Sequence, residues 1–199
     1  VAQLVGAFAS GSLALLGDAG HMSSDGIGLA VALVASVMAA RPATDRHTFG
    51  FQRMEVLAAL ANGLILVVVA VVVALEAVRR LAEPTAHVEA VPMLVVASVG
   101  LAANVVAYLV LRGGDRSSLN LRGALLEVFG DLLGSVAAIA AAIVILLTGF
   151  AQADAIASLA IAALIAPRAF LLLRDVVRVL TESAPRDRDV EQIRDHLRG

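Results

Sequence analysis

Two short runs in this 199-residue chain place nitrogen and oxygen ligands where the surrounding sequence has almost no other charge. The first is Asp18-Ala19-Gly20-His21-Met22-Ser23-Ser24-Asp25, followed by an uncharged stretch from Gly26 to Ala40. The second is Glu127-Val128-Phe129-Gly130-Asp131, which leads into the uncharged run Leu132 to Ala153. On a helix, residues four apart lie on one face, a turn above one another. His21 with Asp25, and Glu127 with Asp131, therefore each aim two side chains at a common point. A charged side chain at the centre of a bilayer costs roughly 2.5–3.5 kcal/mol on insertion scales, so four unpaired groups would cost on the order of 10 kcal/mol. Two such pairs on two helices can instead converge on one cation. With one imidazole and three carboxylates, the set suits a divalent first-row ion, Zn²⁺ foremost. These ligands bind metal only when deprotonated, so protons and metal compete for the same atoms, which is the chemical core of an M²⁺/H⁺ antiporter.

The elements that must hold these residues are membrane helices. The sequence is 60% hydrophobic, against about 45–50% for soluble domains, and several runs reach the roughly 20 residues that cross a bilayer. There is no cysteine, which excludes thiolate metal sites and disulfides. All fifteen basic residues are Arg and the net charge is −2, with no basic cluster to hold a nucleic acid.

The sequence predicts an all-α membrane protein, a six-helix transmembrane bundle with its first helix truncated at the N-terminus. Residues 1–174 form the transmembrane domain, and 175–199 open a cytosolic domain that continues beyond this chain. Asp18 is expected at the start of the second helix, either as its N-cap after Gly17 or as part of the ion's route. That helix runs to about Ala40 and stops at Arg41-Pro42. Further spans run over Val56–Leu75, Ala90–Leu111, Leu119–Leu147 and from Asp154 to about Leu173. Pro167-Arg168 is expected to kink the last one near the interface, with the Arg snorkelling to water. Arginines cluster after helices two, four and six (Arg41, Arg46, Arg53; Arg112, Arg116, Arg122; Arg174, Arg178). By the positive-inside rule those ends and both termini are cytoplasmic. The helix levels pose one requirement: Asp25 lies farther from Arg41 than Asp131 does from Arg122, so helix two must project past the membrane or tilt.

Ser12-Leu13-Ala14-Leu15-Leu16 followed by Asp18-Ala19-Gly20-His21 and Asp25 resembles the second-helix signature of the cation diffusion facilitator family. Arg46-His47-Thr48-Phe49-Gly50 with Arg53 and Glu55 resembles its first cytoplasmic loop. Asn120 to Gly123 and Gly130-Asp131-Leu132-Leu133-Gly134-Ser135 resemble its fifth helix. The resemblance covers about residues 6 to 190. It implies six transmembrane helices, a following ferredoxin-like cytosolic domain, homodimers, and proton-coupled efflux of Zn²⁺ and similar ions, with H⁺ as counter-ion. Its transport ligands fall on His21, Asp25, Glu127 and Asp131. It also implies a transporter and not an enzyme, in a multi-pass protein of the plasma (inner) membrane.

Two departures stand out. Zinc-type members have His where this chain has Glu127, and a more oxygen-rich site brings Mn²⁺ into range beside Zn²⁺, Cd²⁺ and Co²⁺. With three carboxylates the M²⁺-loaded site retains one negative charge, and the simplest relief is one retained proton, for which Glu127 is a reasonable holder. A second metal site in the first loop would need an acid and two His. Here only His47 matches, with Thr44 and Phe51 at the other places, so His47 reads as a solvated loop residue. Arg53 matches a residue that anchors the dimer in some members, and a positive-inside arginine is the equal alternative. The rival functions are a membrane-embedded metalloenzyme, which lacks any H-E-x-x-H, and a proton channel or metal sensor using the same carboxylates.

Overall fold

The structure is a computed structural model that describes residues 2–39, 53–82, 87–113 and 119–181. Six α-helices account for nearly all of these: α1 (Ala2–Ser10), α2 (Leu13–Ala39), α3 (Arg53–Ala82), α4 (Ala90–Leu111), α5 (Leu119–Thr148) and α6 (Gln152–Leu180). Four of them, α3 to α6, contain spans long and apolar enough to cross a membrane. Arg41, Arg46, His47, Arg116, Arg186 and Arg188 lie outside the described residues, as does the segment after Thr181.

α2 is the hub. It packs on α1, α3, α5 and α6, while α3 lies along α6, α4 along α5, and α1 bridges α2 to α4. Lipid tails are as apolar as leucine, so helices in a bilayer gain little by hiding large side chains and associate where small ones allow close approach. The core follows that rule. Ala14, Ala77, Ala142 and Ala169 are fully buried, whereas Leu29, Leu75, Leu147 and Phe170 point outward. At Gly20 an added Cβ would lie 3.0 Å from Val69 of α3, and at Gly28 it would lie 2.6 Å from the amide of Asn62. These two positions set how closely α2 and α3 run.

The described lengths of helix on the loop side of the two pairs are similar. Fourteen residues separate Asp25 from Ala39 and twelve separate Leu119 from Asp131, about 21 and 18 Å of helix. α5 starts before Arg122, so the arginine was a poor marker of its end.

The start of α2 corrects the expectation for Asp18. α2 begins five residues earlier, at Leu13, after Gly11 turns the chain with φ +66°. Ser12 is its cap, accepting the Leu15 N–H on its Oγ at 3.2 Å. The remaining free N–H groups are satisfied from α6. Asp154 accepts the Leu13 N–H at 2.7 Å, the Ala14 N–H at 3.2 Å and the Ser12 hydroxyl at 2.6 Å, and it is 0% exposed. Arg80 of α3 completes this network, 3.5 Å from Asp154 and donating to the Gly11 carbonyl at 2.9 Å. One carboxylate thus ties α2, α3 and α6 together at a helix end where a negative charge is favoured.

Asp154→Ala would orphan two amide N–H groups and a hydroxyl and take one of its two carboxylate neighbours from Arg80, at a cost of roughly 2–4 kcal/mol. Thermal unfolding of the variant in detergent should show a clearly lower midpoint, with Asp154→Asn in between. An unchanged midpoint for Asp154→Ala would show that this cap is dispensable.

Candidate metal site

His21 sits midway along the inner face of α2, 6% exposed. Its Nδ1 is 3.4 Å from Asp25 Oδ2 one turn on, and its Nε2 is 3.6 Å from Asp131 Oδ1 on α5. Both separations are long for hydrogen bonds. They match the spacing between neighbouring ligands of a tetrahedral ion, about 3.3–3.6 Å for bonds of 2.0–2.2 Å. Neither His21 Nδ1 nor Asp131 Oδ1 has a hydrogen-bond partner, although both are buried. Buried polar atoms are nearly always satisfied, so these two unpaired atoms leave lone-pair capacity for a cation on two of the expected ligands, although they face opposite sides of the imidazole.

Glu127 lies a turn from Asp131 and joins His21 and Asp25 in lining a cavity of about 280 Å³, together with Asn62, Leu66, Leu126, Arg168 and Leu172. Its carboxyl is within hydrogen-bonding reach of that of Asp25. The four expected ligands thus come together on facing stretches of α2 and α5. They do not form a closed shell: among the described residues no three His, Asp or Glu side chains surround a single point that would hold an ion. The reason is the imidazole, which turns one nitrogen to each aspartate. One ring nitrogen can serve a given ion, so closing the site takes a rotation of His21 or a small shift of α5 against α2.

Arg168 is the main correction. The sequence places it near an interface, snorkelling to water. In the structure α6 runs as helix through Pro167, and Arg168 turns inward. Its Nη1 lies 3.4 Å from His21 Nε2 and its Nη2 donates to the Leu126 carbonyl at 2.6 Å. Gly130 makes room for it, since a Cβ there would be 2.6 Å from Nη2. Asp18, 4% exposed, also faces inward and not towards a helix end. It accepts a hydrogen bond from Gln3 of α1 at 2.9 Å and shares a small cavity of about 50 Å³ with His21, Asp131 and Arg168. Asn62, the most polar residue of its span, accepts the Ser24 hydroxyl at 2.8 Å. Two of these had a signal in the sequence: an arginine and an asparagine in otherwise apolar runs, each needing a partner.

Comparison with known proteins fits this arrangement. Residues 1–181 match the family model described as the cation efflux transmembrane domain. The chain is 45% identical over 194 residues to the zinc transporter ZitB of Pectobacterium atrosepticum, covering 97% of this chain and 60% of that protein. It is 44% identical over 193 residues to the metal cation efflux system protein CzcD of Cupriavidus metallidurans, with 97% and 61% covered. It is 42% identical over 195 residues to the cadmium, cobalt and zinc/H(+)-K(+) antiporter of Bacillus velezensis, with 97% and 62% covered. The chain spans about three fifths of the length of these relatives.

Asn62→Ala would leave the buried Ser24 hydroxyl without its partner, lowering stability by about 1–2 kcal/mol. The double variant Ser24→Ala/Asn62→Ala should recover part of that loss in the same unfolding measurement. A double variant that loses the sum of both single effects would show that the pair does not interact. The second-helix and fifth-helix residues, their place in an apolar helix bundle and the match over nearly the whole chain lead to one conclusion: this chain belongs to the cation efflux family and carries its transmembrane domain.

Proposed function

We propose that this chain is the membrane domain of a proton-coupled exporter of divalent metal cations, with His21, Asp25, Glu127 and Asp131 as the transport ligands. Zn²⁺ is the foremost substrate, and Cd²⁺, Co²⁺ and Mn²⁺ are the further ones. The observation that supports this reading is the gathering of His21, Asp25, Glu127 and Asp131 on facing stretches of α2 and α5, with His21 Nδ1 and Asp131 Oδ1 buried and without a hydrogen-bond partner. The printed names of the relatives favour Zn²⁺, Cd²⁺ and Co²⁺, and one of them names H⁺ as a counter-ion. In this reading the protein works as a homodimer in the plasma (inner) membrane with cytoplasmic termini, and residues 175–199, the first six of which still belong to α6, lead into its cytoplasmic domain.

The coupling follows from the donor set. The His21 nitrogen and the carboxylate oxygens bind metal only without their protons. A high proton concentration on the far side loads these atoms and expels the metal, and the lower one on the cytoplasmic side frees them again. Metal affinity should therefore fall as pH falls. The cavity beside His21, Asp25 and Glu127 gives a hydrated route to the ligands from one side.

Initial rates of Zn²⁺ uptake into proteoliposomes with an imposed pH gradient test the reading. Asp25→Ala and Asp131→Ala should each lose transport by more than about tenfold while still inserting, since losing one ligand leaves too few but removes a charge from the membrane. Glu127→His should keep transport and favour Zn²⁺ and Cd²⁺ over Mn²⁺ more strongly, because imidazole suits the former. Near-normal uptake by either aspartate variant would end the proposal, and an unaltered ion preference in Glu127→His would remove Glu127 from the ligand set.

A further inference from the structure

We infer that Arg168 is a built-in positive charge of the ion site, held there to offset the third carboxylate and so to keep a divalent substrate from binding too tightly to be released. The inference rests on the transport reading above and concerns a residue outside its ligand set.

The placement is specific. A guanidinium is a planar fork whose donors can be fixed separately. Here one arm is anchored on the Leu126 carbonyl at 2.6 Å while the other reaches His21 Nε2 at 3.4 Å. The Leu126 carbonyl belongs to the turn of α5 that carries Glu127, so the same backbone positions the arginine and the acid. Gly130 supplies the space, and any side chain there would collide with Nη2. Arg168 also lines both cavities that meet at His21, the one with Asp25 and Glu127 and the one with Asp18 and Asp131. A surface arginine would have no need of such an arrangement.

Charge gives the arrangement its meaning. Asp25, Glu127 and Asp131 bring three negative charges to a partly buried site, Glu127 on its open side. A divalent ion cancels two, and the guanidinium cancels the third without being a ligand. Asp18 is a fourth acid nearby, and the hydrogen bond from the neutral Gln3 amide leaves its charge in place, so a fixed positive charge here is needed all the more. Arginine keeps its charge at any pH a cell reaches, so this compensation is fixed and not lent by a proton. It removes the need for a proton held on Glu127 that the sequence alone makes the simplest relief. A positive charge within a few ångströms of the ion weakens binding, which is what a carrier needs if its substrate must leave.

Zn²⁺ binding to the full-length protein in nanodiscs, by titration calorimetry, tests this alongside uptake rates. Arg168→Gln should bind Zn²⁺ about tenfold or more tighter and turn over more slowly at saturating metal. Arg168→Lys, which keeps the charge, should stay within about threefold of the parent. Gly130→Ala, which displaces the guanidinium and leaves its charge in the chain, should move affinity in the same direction as Arg168→Gln, by less. An Arg168→Gln protein that binds Zn²⁺ no more tightly than the parent overturns the inference, as does an Arg168→Lys protein that behaves like Arg168→Gln. If Arg168→Gln does not fold, Arg168→Lys and Gly130→Ala decide alone. Failure of the parent protein to bind or carry metal would sink the transport reading instead.

Discussion

A guanidinium, an imidazole and four carboxyls gather at one level of a bundle whose core is mainly alanine, valine, leucine and isoleucine. In such surroundings charge cannot be diluted by water, so each group must find a partner within a few ångströms. His21 reaches Asp25 on its own helix and Asp131 on α5, and Arg168 reaches in from α6 to the same imidazole. Three helices are thereby held at one level and one rotation. Apolar packing of small residues would tolerate a slide of one turn, since alanine looks alike at every turn, but the polar contacts would not. The residues that carry the chemistry also fix the register of the fold.

A second polar knot fixes the opposite end. Asp154, wholly buried at the start of α6, caps α2, and Arg80 binds it while also taking the Gly11 carbonyl and Glu76, whose Oε1 accepts Arg80 Nε at 3.2 Å. This explains two arginines at a helix end that the positive-inside pattern leaves otherwise poor in them. Arg80 is spent on a capping network, and Arg79 stands 3.8 Å from Glu76. A count of loop arginines treats both as topological signals, when one of them is a structural ligand of the bundle.

The sequence made the helices legible because long uncharged runs allow little else, and it made the two i, i+4 pairs legible because their ligands stand on one face. It could not say where Arg168 points. An arginine after a proline, six residues before the next arginine, satisfies the pattern of a snorkelling interfacial residue just as well. Only the glycine at position 130, a whole helix away, leaves room for it to turn inward. Asp18 failed for a related reason: an acid after Gly17 is a good cap by composition, and the true start at Leu13 depends on Asp154, 141 residues further on. Ser12 after Gly11 is a local signal for that start, whereas the part of the cap that Asp154 supplies from another helix leaves no local trace. Arg41, Arg46 and His47 lie outside the described residues, so the comparison there stays with the sequence, while Arg53 opens α3.

The two polar knots divide the bundle into unlike halves. At the Asp154 end the helices are stapled by buried hydrogen bonds, and the Glu89 N–H closes on the Ser10 carbonyl at 2.8 Å. Past Ser24 the other half of α2 loosens: of its described side chains from Gly26 to Val37, all are exposed except that of Gly28, which is half-buried. The cavity of about 280 Å³ lies at the boundary, lined by His21, Asp25 and Glu127. Local opening draws on the weakly packed parts of a structure first. A bundle made this way can change access at one side of the cluster while the capped ends of α2 and α6 stay together. The small side chains that line α2 against α3, at Gly20 and Gly28, are what a sliding contact between those helices would need.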